Sequence, residues 1–511
     1  MLVKGKIKWH AEAEVVMVGY GGAGATAAIT ARDRGTDVLL LEKQKQGNHY
    51  TNTGMAGGSF MSPSSAAEAA KYLRNLYRIN ETMSWTDDKV IDAWAAYASE
   101  NKEWLEKTTG TTLTVARTVE NVAMSYPFFP GRESLIGFRF RGLGWGLMNA
   151  LEKQVTDRKI PVIYGASANK LLTDNSGRVI GVSAEIDEGG QKKVVNVAAS
   201  KAVILTCGGF QFSEALKRQY LPVYPFYSHG TPACTGEGVT MALDVGAQLW
   251  HMNCFAGRLM AKFDDFPIAF SLEFRGDRRP LKQRFGTAEA KEEPSGFIFV
   301  DRHGKRYTSE DFIGHYLCYE LSVWDSHRLE YPRVPSYAIF DQKRIGKGPL
   351  ADRRKGASGP CRLYQWSEDN HVEIEKGWIT VGDSLPELAR KISVDPDNLV
   401  KTVNNYNSYC THGADPEFGT KASSLVPVRD APYYAVKLWP GGCCAHGGPR
   451  RNSKSQVLNV DNESIPGLYV AGELGSIYAM PSLDAAFLAE MFAFGRIAGE
   501  NAAAEKAVGI G

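Results

Sequence analysis

Apolar residues in this chain come in short unbroken runs, and glycine-rich turns follow several of them. Val15–Val18 is such a run, β-branched and without polar alternation, which predicts a strand buried on both faces. The small-residue stretch Ala25–Arg34 predicts a helix after it, and Val38–Leu41 a second buried strand. The same reading places strands at Val162–Tyr164, Lys201–Leu205 and Leu468–Ala471. Alternation at Val179–Glu185 and Val194–Val197 predicts antiparallel strands instead. Helices are expected at Ala66–Tyr77, at Asp87–Lys107 with Thr86 as N-cap, and at Gly142–Val155. Others follow at Pro386–Ile392, Pro396–Ser408 and from Pro481 to Asn501. Between 255 and 432 aromatics, prolines and charges are frequent and no phosphate-type loop occurs. The expected division is 1–254, 255–432 and 433–511, with the middle stretch inserted into a domain built from the outer two.

A chain of 511 residues can bury a large core and hold two or more domains. Its 59 basic and 57 acidic residues nearly balance, so nothing draws it to nucleic acid or an anionic membrane. The start, Met1 to His10, has no apolar signal core, and no apolar run reaches about 18 residues, so no membrane span is expected. The eight cysteines lack CxxC spacing, which argues against c-type haem and a zinc knuckle. Cytoplasmic localisation, reduced thiols and no metal site are the expectation.

The candidate chemistry sits in the first turn. Gly19-Tyr20-Gly21-Gly22-Ala23-Gly24 fits G-x-G-x-x-G between a strand and a helix. Gly19 allows the tight turn, Gly21 lets backbone approach a pyrophosphate, and Gly24 lets the helix pack close to the strand. The N–H groups at the helix start aim at the phosphates. Glu42 ends the second strand 18 residues after Gly24, placed to accept bonds from both adenosine ribose hydroxyls. The loop that follows carries Lys43, Gly47, Asn48, Gly54, Gly57 and Gly58, with backbone N–H groups and small hydroxyls suited to a long polar ligand.

Strand-Glu-Lys followed by Gly-Asn and Gly-Gly resembles the FAD-dependent fumarate reductase and 3-ketosteroid dehydrogenase superfamily. The closing segment strengthens the resemblance: a strand, Gly472-Glu473, a glycine loop, then a helix ending Phe-Gly-Arg-Ile-Ala-Gly-Glu-Asn at Asn501. The implied fold is α/β, a Rossmann-like FAD-binding domain with parallel sheet and β-meander plus an inserted α+β capping domain. The resemblance also implies that backbone near Ser167 or Ala168 meets adenine. Cys207, Gly208 and Gly209 would lie beside the dinucleotide. Glu237 stands in Thr-Gly-Glu-Gly where the family usually has Asp. Leu483, Phe487 and Leu488, in the last loop and the helix start, would face the flavin. His49 lies two residues from the position of the histidyl–flavin bond in succinate dehydrogenase flavoproteins, so loop hydrogen bonding and non-covalent FAD are expected.

The resemblance also bears on substrate. The two arginines and two histidines that fumarate reductases use fall on Ser482, Gly314, Cys443 and Cys444, and none is kept. Arg450 and Arg451 read as surface or strand-edge charges. The ketosteroid dehydrogenase branch uses tyrosines, and Tyr316 and Tyr319 lie in the cap segment after the Asp301–Tyr307 hairpin motif, with Tyr478 in the last loop. The expectation is interconversion of a cyclic or steroid-like ketone and its α,β-unsaturated ketone by hydride transfer at flavin N5. Tyr478 and Tyr316 would face each other across the substrate, with His315 and His446 as alternative acid–base groups and Ser482 at the helix start. The partners implied are a small carbonyl compound and an electron donor or acceptor that the sequence does not name. An enoate reductase or dehydrogenase for a non-dicarboxylate acid, and an electron-transfer flavoprotein subunit, are the alternatives.

Overall fold

The computed structural model describes residues 7–78, 86–117, 129–188, 190–274, 295–311, 317–351, 363–480, 483 and 485–510. Two compact units divide it: 1–221 with 230–256 and 444–511, and 222–229 with 257–443.

The first unit is organised by strand β1 (Ala11–Val18), helix α1 (Gly22–Asp33) and strand β2 (Val38–Glu42). Val15–Val18 and all of β2 are buried, as continuous apolar runs in a parallel sheet must be. The sheet runs Gln456–Leu458, Ser464–Val470, Gln191–Leu205, β1, β2, Val162–Tyr164. Four of these five neighbour pairs are parallel, all but the first, with Val18 level with Leu41 on one side and Leu205 on the other. Ala166–Thr173, Val179–Glu188 and Gln191–Leu205 form an antiparallel meander that leads into it. The two strand segments expected between 194 and 205 are one strand of 15 residues. It serves the meander with one end and the parallel sheet with the other.

The expected helix Asp87–Lys107 is two, Asp88–Ser99 and Asn101–Thr109, broken at Glu100. Asp87 is the N-cap, accepting from Lys89 N. Thr86 instead donates to Ile477 O at 2.8 Å, so a tertiary partner displaces the expected cap. The last helix is Ala486–Ala503, not a helix from Pro481, because Ala485 before it takes a left-handed φ of 62°. This helix packs on α1 through small residues. A Cβ on Gly495 would stand 2.8 Å from Thr26 Cβ, and one on Gly499 2.5 Å from Ala27 O.

The second unit is built on a sheet ordered Phe270–Ser271, Phe255–Ala261, Tyr433–Ala445, Ser336–Asp341, Phe297–Val300. Tyr433–Ala445 is its central strand, so the chain returns to the first unit at Cys444 rather than at 433. Residues 222–229 join the second unit because Tyr227 and Ser228 pair with Gly441 and Gly442. Its core is aromatic: Phe263 stacks on Trp378 at 4.2 Å, with Phe270 and Trp366 against them.

Candidate functional site

Parallel register places the C-terminal ends of the central strands at one edge of the first unit's sheet. There Gly19 N donates to Leu41 O, Thr206 N to Val18 O and Ala471 N to Leu205 O, at 2.8, 2.8 and 3.0 Å. The turns after β1, β2, Leu205 and Val470 therefore converge, which is where open parallel sheets bind ligands.

The glycines in these turns do separate jobs. Gly19 has φ 105°, and a Cβ there would lie 2.7 Å from Thr206 O. A Cβ on Gly24 would lie 2.1 Å from Gly19 O, so only glycine lets α1 sit this close to its strand. Gly22 N donates to Thr53 Oγ1 at 3.2 Å, which ties the second loop to the start of α1. Gly21 differs: it precedes α1 with no side-chain cap, and a Cβ on it meets nothing within 4 Å. The same holds for a Cβ on Gly57. With Gly22 N taken by Thr53, the remaining first-turn N–H groups of α1 and the bare backbone at Gly21 and Gly57 fit a pyrophosphate.

Around this cradle, Lys43 Nζ reaches Thr235 Oγ1 at 2.6 Å and Glu237 Oε1 at 2.8 Å. Burial pushes the Glu237 carboxyl up, but Lys43 and Thr235 outweigh it and hold it below its usual range. Glu237 opens the helix Glu237–Asp244 and is spent on Lys43. Asn52 Nδ2 donates to Glu473 Oε2 at 2.8 Å, and its Oδ1 accepts from Thr231 N at 2.8 Å. Gly209 packs against Glu473, where a Cβ would lie 2.5 Å from Oε1. Burial pushes the half-buried Cys207 thiol up to about 12, so it is a neutral wall. Ala168 lies buried in the meander opposite Ala184.

At the other end of the cradle, both Glu42 oxygens accept backbone bonds, Oε2 from Tyr20 N at 2.9 Å and Oε1 from Gln44 N at 2.8 Å. His49 stands beside it, Nε2 3.5 Å from Glu42 Oε2 and Nδ1 3.1 Å from Glu152 Oε1. The ring stacks on Tyr20 at 5.2 Å and meets Tyr164 edge-on at 6.0 Å. Burial pulls the His49 imidazole down, but the two carboxylates outweigh it and push it up to about 9. Burial likewise raises Glu42, and His49 with the two backbone N–H groups brings it below its usual range.

The loop after Gly472 is held carbonyl by carbonyl. Trp250 Nε1 donates to Gly475 O at 3.1 Å, His251 Nδ1 lies 2.8 Å from Ser476 O, and Thr86 takes Ile477 O. Glu490, on the last helix, accepts from Ser476 Oγ at 2.6 Å and Ile477 N at 2.9 Å and is paired with Arg451. Arg451 is fully buried with its guanidinium 3.8 Å from the Phe494 ring centroid, so the expected surface charge is an internal one. Arg450 donates to Gln248 Oε1 at 3.0 Å and Asn462 Oδ1 at 2.7 Å. Tyr478 is also fully buried, its hydroxyl donating to Ala486 O at 3.1 Å and its ring meeting Phe487 edge-on at 5.4 Å. Burial pushes its phenol well above the usual range. The His446 ring is also against Phe487, at 5.1 Å. Leu483 is buried, and Ala485, the residue before the last helix, gives it no side-chain cap.

In the second unit the Asp301–Tyr307 hairpin turn forms as expected, Asp301 Oδ1 accepting from His303 N and Lys305 N. Tyr319 is half-buried on the short helix Leu317–Ser322. His315, Tyr316, Gly314 and Ser482 lie outside the described residues. Sequence reasoning missed Glu152, His251 and Glu490, which come to the site from distant helices or loops and carry no local motif. An acid inside the apolar face of the last helix was the one signal available for Glu490.

A strand–glycine–helix cradle at a parallel sheet edge, with a buried acid ending the next strand, has the form of a dinucleotide-binding fold. The chain belongs to the FAD-binding domain family, whose profile matches residues 14–480. The urocanate reductase of Eggerthella lenta is 27% identical over 515 residues, 96% of this chain and 75% of that protein. The 4-oxocyclohexanecarboxylate 2-dehydrogenase of Sinomonas cyclohexanicum is 29% identical over 353 residues, 65% of this chain and 55% of that one. The solved 3-ketosteroid Δ1-dehydrogenase of Sterolibacterium denitrificans has a TM-score of 0.78 at 20% identity, covering 97% of this chain and all of that one. The protein is thus an FAD-dependent oxidoreductase acting on CH–CH groups. No helix among the described residues is long and apolar enough to cross a membrane.

Proposed function

We propose that this protein interconverts a cyclic or steroid-like ketone and its α,β-unsaturated ketone, using non-covalent FAD. Gly19–Gly24 and the start of α1 take the pyrophosphate, Glu42 the adenosine ribose, and Gly57, Gly472 and the helix start at Ala486 the flavin end. Bound FAD supplies the acceptor, or in reverse the donor, of the hydride at the carbon β to the carbonyl. The protein's own groups move the proton at the α carbon and polarise the carbonyl. Tyr316 carries the proton in this reading, with Tyr319 or His315 beside it in sequence. Tyr478 supports the helix start through Ala486 O, where the positive end of the helix dipole would favour developing negative charge.

One observation carries the ketone reading over a dicarboxylate one. Arg451, one of the two arginines after the last glycine loop, is spent on Glu490 inside the fold, and Arg450 is bonded to Gln248 and Asn462. Cysteines at 443 and 444 add no positive charge. The likeness to a 4-oxocyclohexanecarboxylate dehydrogenase supports the same substrate class. A second reading, an enoate reductase for a non-dicarboxylate acid, is favoured by the likeness to a urocanate reductase over 96% of this chain and 75% of that protein.

The test is anaerobic: flavin bleaching by cyclic ketones and reoxidation by enones, enoates and fumarate. The best ketone or enone is expected to exceed fumarate by about 10²-fold or more, the scale set by missing charged partners. Fastest reoxidation by a monocarboxylic enoate would favour the second reading, and silence across the panel an electron-transfer subunit. Acid precipitation of the same sample is expected to leave yellow flavin in the supernatant. Glu42→Ala removes a charged acceptor and is expected to weaken FAD binding about 10- to 100-fold. Unchanged affinity in a flavin titration of that variant would move the ribose elsewhere.

A further inference from the structure

The Glu42–His49 pair carries more than the cradle requires. The His49 side chain is only 7% exposed, and among the described residues Nε2 has no hydrogen-bond partner of ordinary geometry. Its nearest acceptor, Glu42 Oε2, is at 3.5 Å, beyond ordinary hydrogen-bond reach, while Nδ1 is fixed by Glu152. A buried N–H at that distance pairs with the carboxylate as a charge but leaves room for a closer acceptor. A ribose hydroxyl suits such a gap: it gives its proton to a carboxylate and accepts one from a nitrogen.

We propose that His49 is a ribose-binding residue of the cofactor site, donating Nε2–H to a hydroxyl oxygen of the adenosine ribose while Glu42 accepts that hydroxyl's proton. The inference rests on Glu42 meeting the ribose. Glu152 orients the ring and sustains its charge, and Tyr20 and Tyr164 shield it from water. Of these neighbours, Tyr20 and Tyr164 are pushed up by burial and stay neutral where His49 titrates. His49 has its folded value raised above its ordinary one, so its pairing with the carboxylates is complete at neutral pH and below. It is lost as pH rises through about 9.

The experiment uses the FAD-loaded protein and follows free-flavin fluorescence after dilution, from pH 7 to pH 10. Wild-type FAD release is expected to accelerate about tenfold across pH 9, as one charge-assisted hydrogen bond is lost. His49→Gln is expected to release FAD about tenfold faster at pH 7, with a flat profile above it. Glu152→Gln keeps the imidazole but removes one of its two carboxylates, so its acceleration should begin at lower pH. Release from His49→Gln within about twofold of wild type at pH 7, or an alkaline acceleration that survives in it, would overturn the proposal. If His49→Gln does not fold, identical wild-type and Glu152→Gln profiles overturn it instead. Glu42→Ala separates the two readings. Weakened FAD there with no effect at His49 removes only this inference, and no effect in either variant removes the ribose placement.

Discussion

Arg306→Met is expected to destabilise the second unit by about 3–5 kcal/mol, read as a lower urea midpoint by tryptophan fluorescence. The guanidinium is 1% exposed and binds two buried carboxylates at once. Nε lies 2.9 Å from Glu310 Oε1, and Nη2 lies 2.7 Å from Asp415 Oδ2 and 2.9 Å from Thr420 Oγ1. Its flat faces cover Tyr406 and Phe418, each centroid 5.0 Å away. Methionine would keep much of that packing but leave Glu310 and Asp415 facing each other without a counter-charge. Burial pushes Asp415 up, yet Arg306 and Thr420 overcome it and hold the carboxyl well below its usual range. A depressed carboxylate contributes stability above its ordinary value of about 4 and loses it as pH falls. The gap between wild type and Arg306→Met should therefore be widest near neutral pH and narrow in acid. The triple variant R306M/E310Q/D415N should regain most of the loss, since neutral groups of similar shape need no counter-charge. Equal stability of Arg306→Met and wild type at pH 7 would mean that water reaches this triad.

Tyr316→Phe is expected to lower turnover about 10²–10⁴-fold while FAD stays bound, the usual cost of deleting a general acid or base. The phenol's ordinary pKa near 10 makes it a good neutral donor and a poor base unless a neighbouring charge lowers it. His315, adjacent in sequence, is a group that can do so. Tyr478→Phe is the matched comparison. Its hydroxyl is spent on Ala486 O, so its removal should cost stability of about 1 kcal/mol and little rate. Stopped-flow flavin reduction of both variants, on a substrate that the native enzyme turns over, separates the roles. Wild-type reduction in Tyr316→Phe with a large loss in Tyr478→Phe would reverse the two assignments.

Much of the first unit was legible because its signals are local. The strand through Val18, the glycine turn, the helix and the strand ending at Glu42 stand in the order the sequence implies, since each glycine answers a backbone constraint set within a few residues. Helix boundaries were less legible where a distant partner decided them. Thr86 looks like an N-cap, but Ile477 claims its hydroxyl and Asp87 caps instead. The last helix starts at Ala486 because Ala485 turns left-handed, which no alanine announces. Arg451 read as a surface or strand-edge charge; its backbone does bridge to Val457, but its side chain is buried on Glu490, 39 residues away, as arginine rarely is unless paired.

The sequence by itself determined the cofactor class, the parallel sheet and the strand–glycine–helix turn at its edge. Strand periodicity, steric need for glycine and a terminal acid all act over one βαβ unit. Tertiary structure decided the division at Cys444, because the pairing of Tyr433–Ala445 as a central strand depends on strands about a hundred residues or more earlier in the chain. It also decided that Tyr478 and Arg451 face inward, and that His49 stands between Glu42 and Glu152. Those outcomes follow from which buried charges and hydroxyls find partners. That depends on residues brought together by the whole fold, and no local pattern in the chain encodes it.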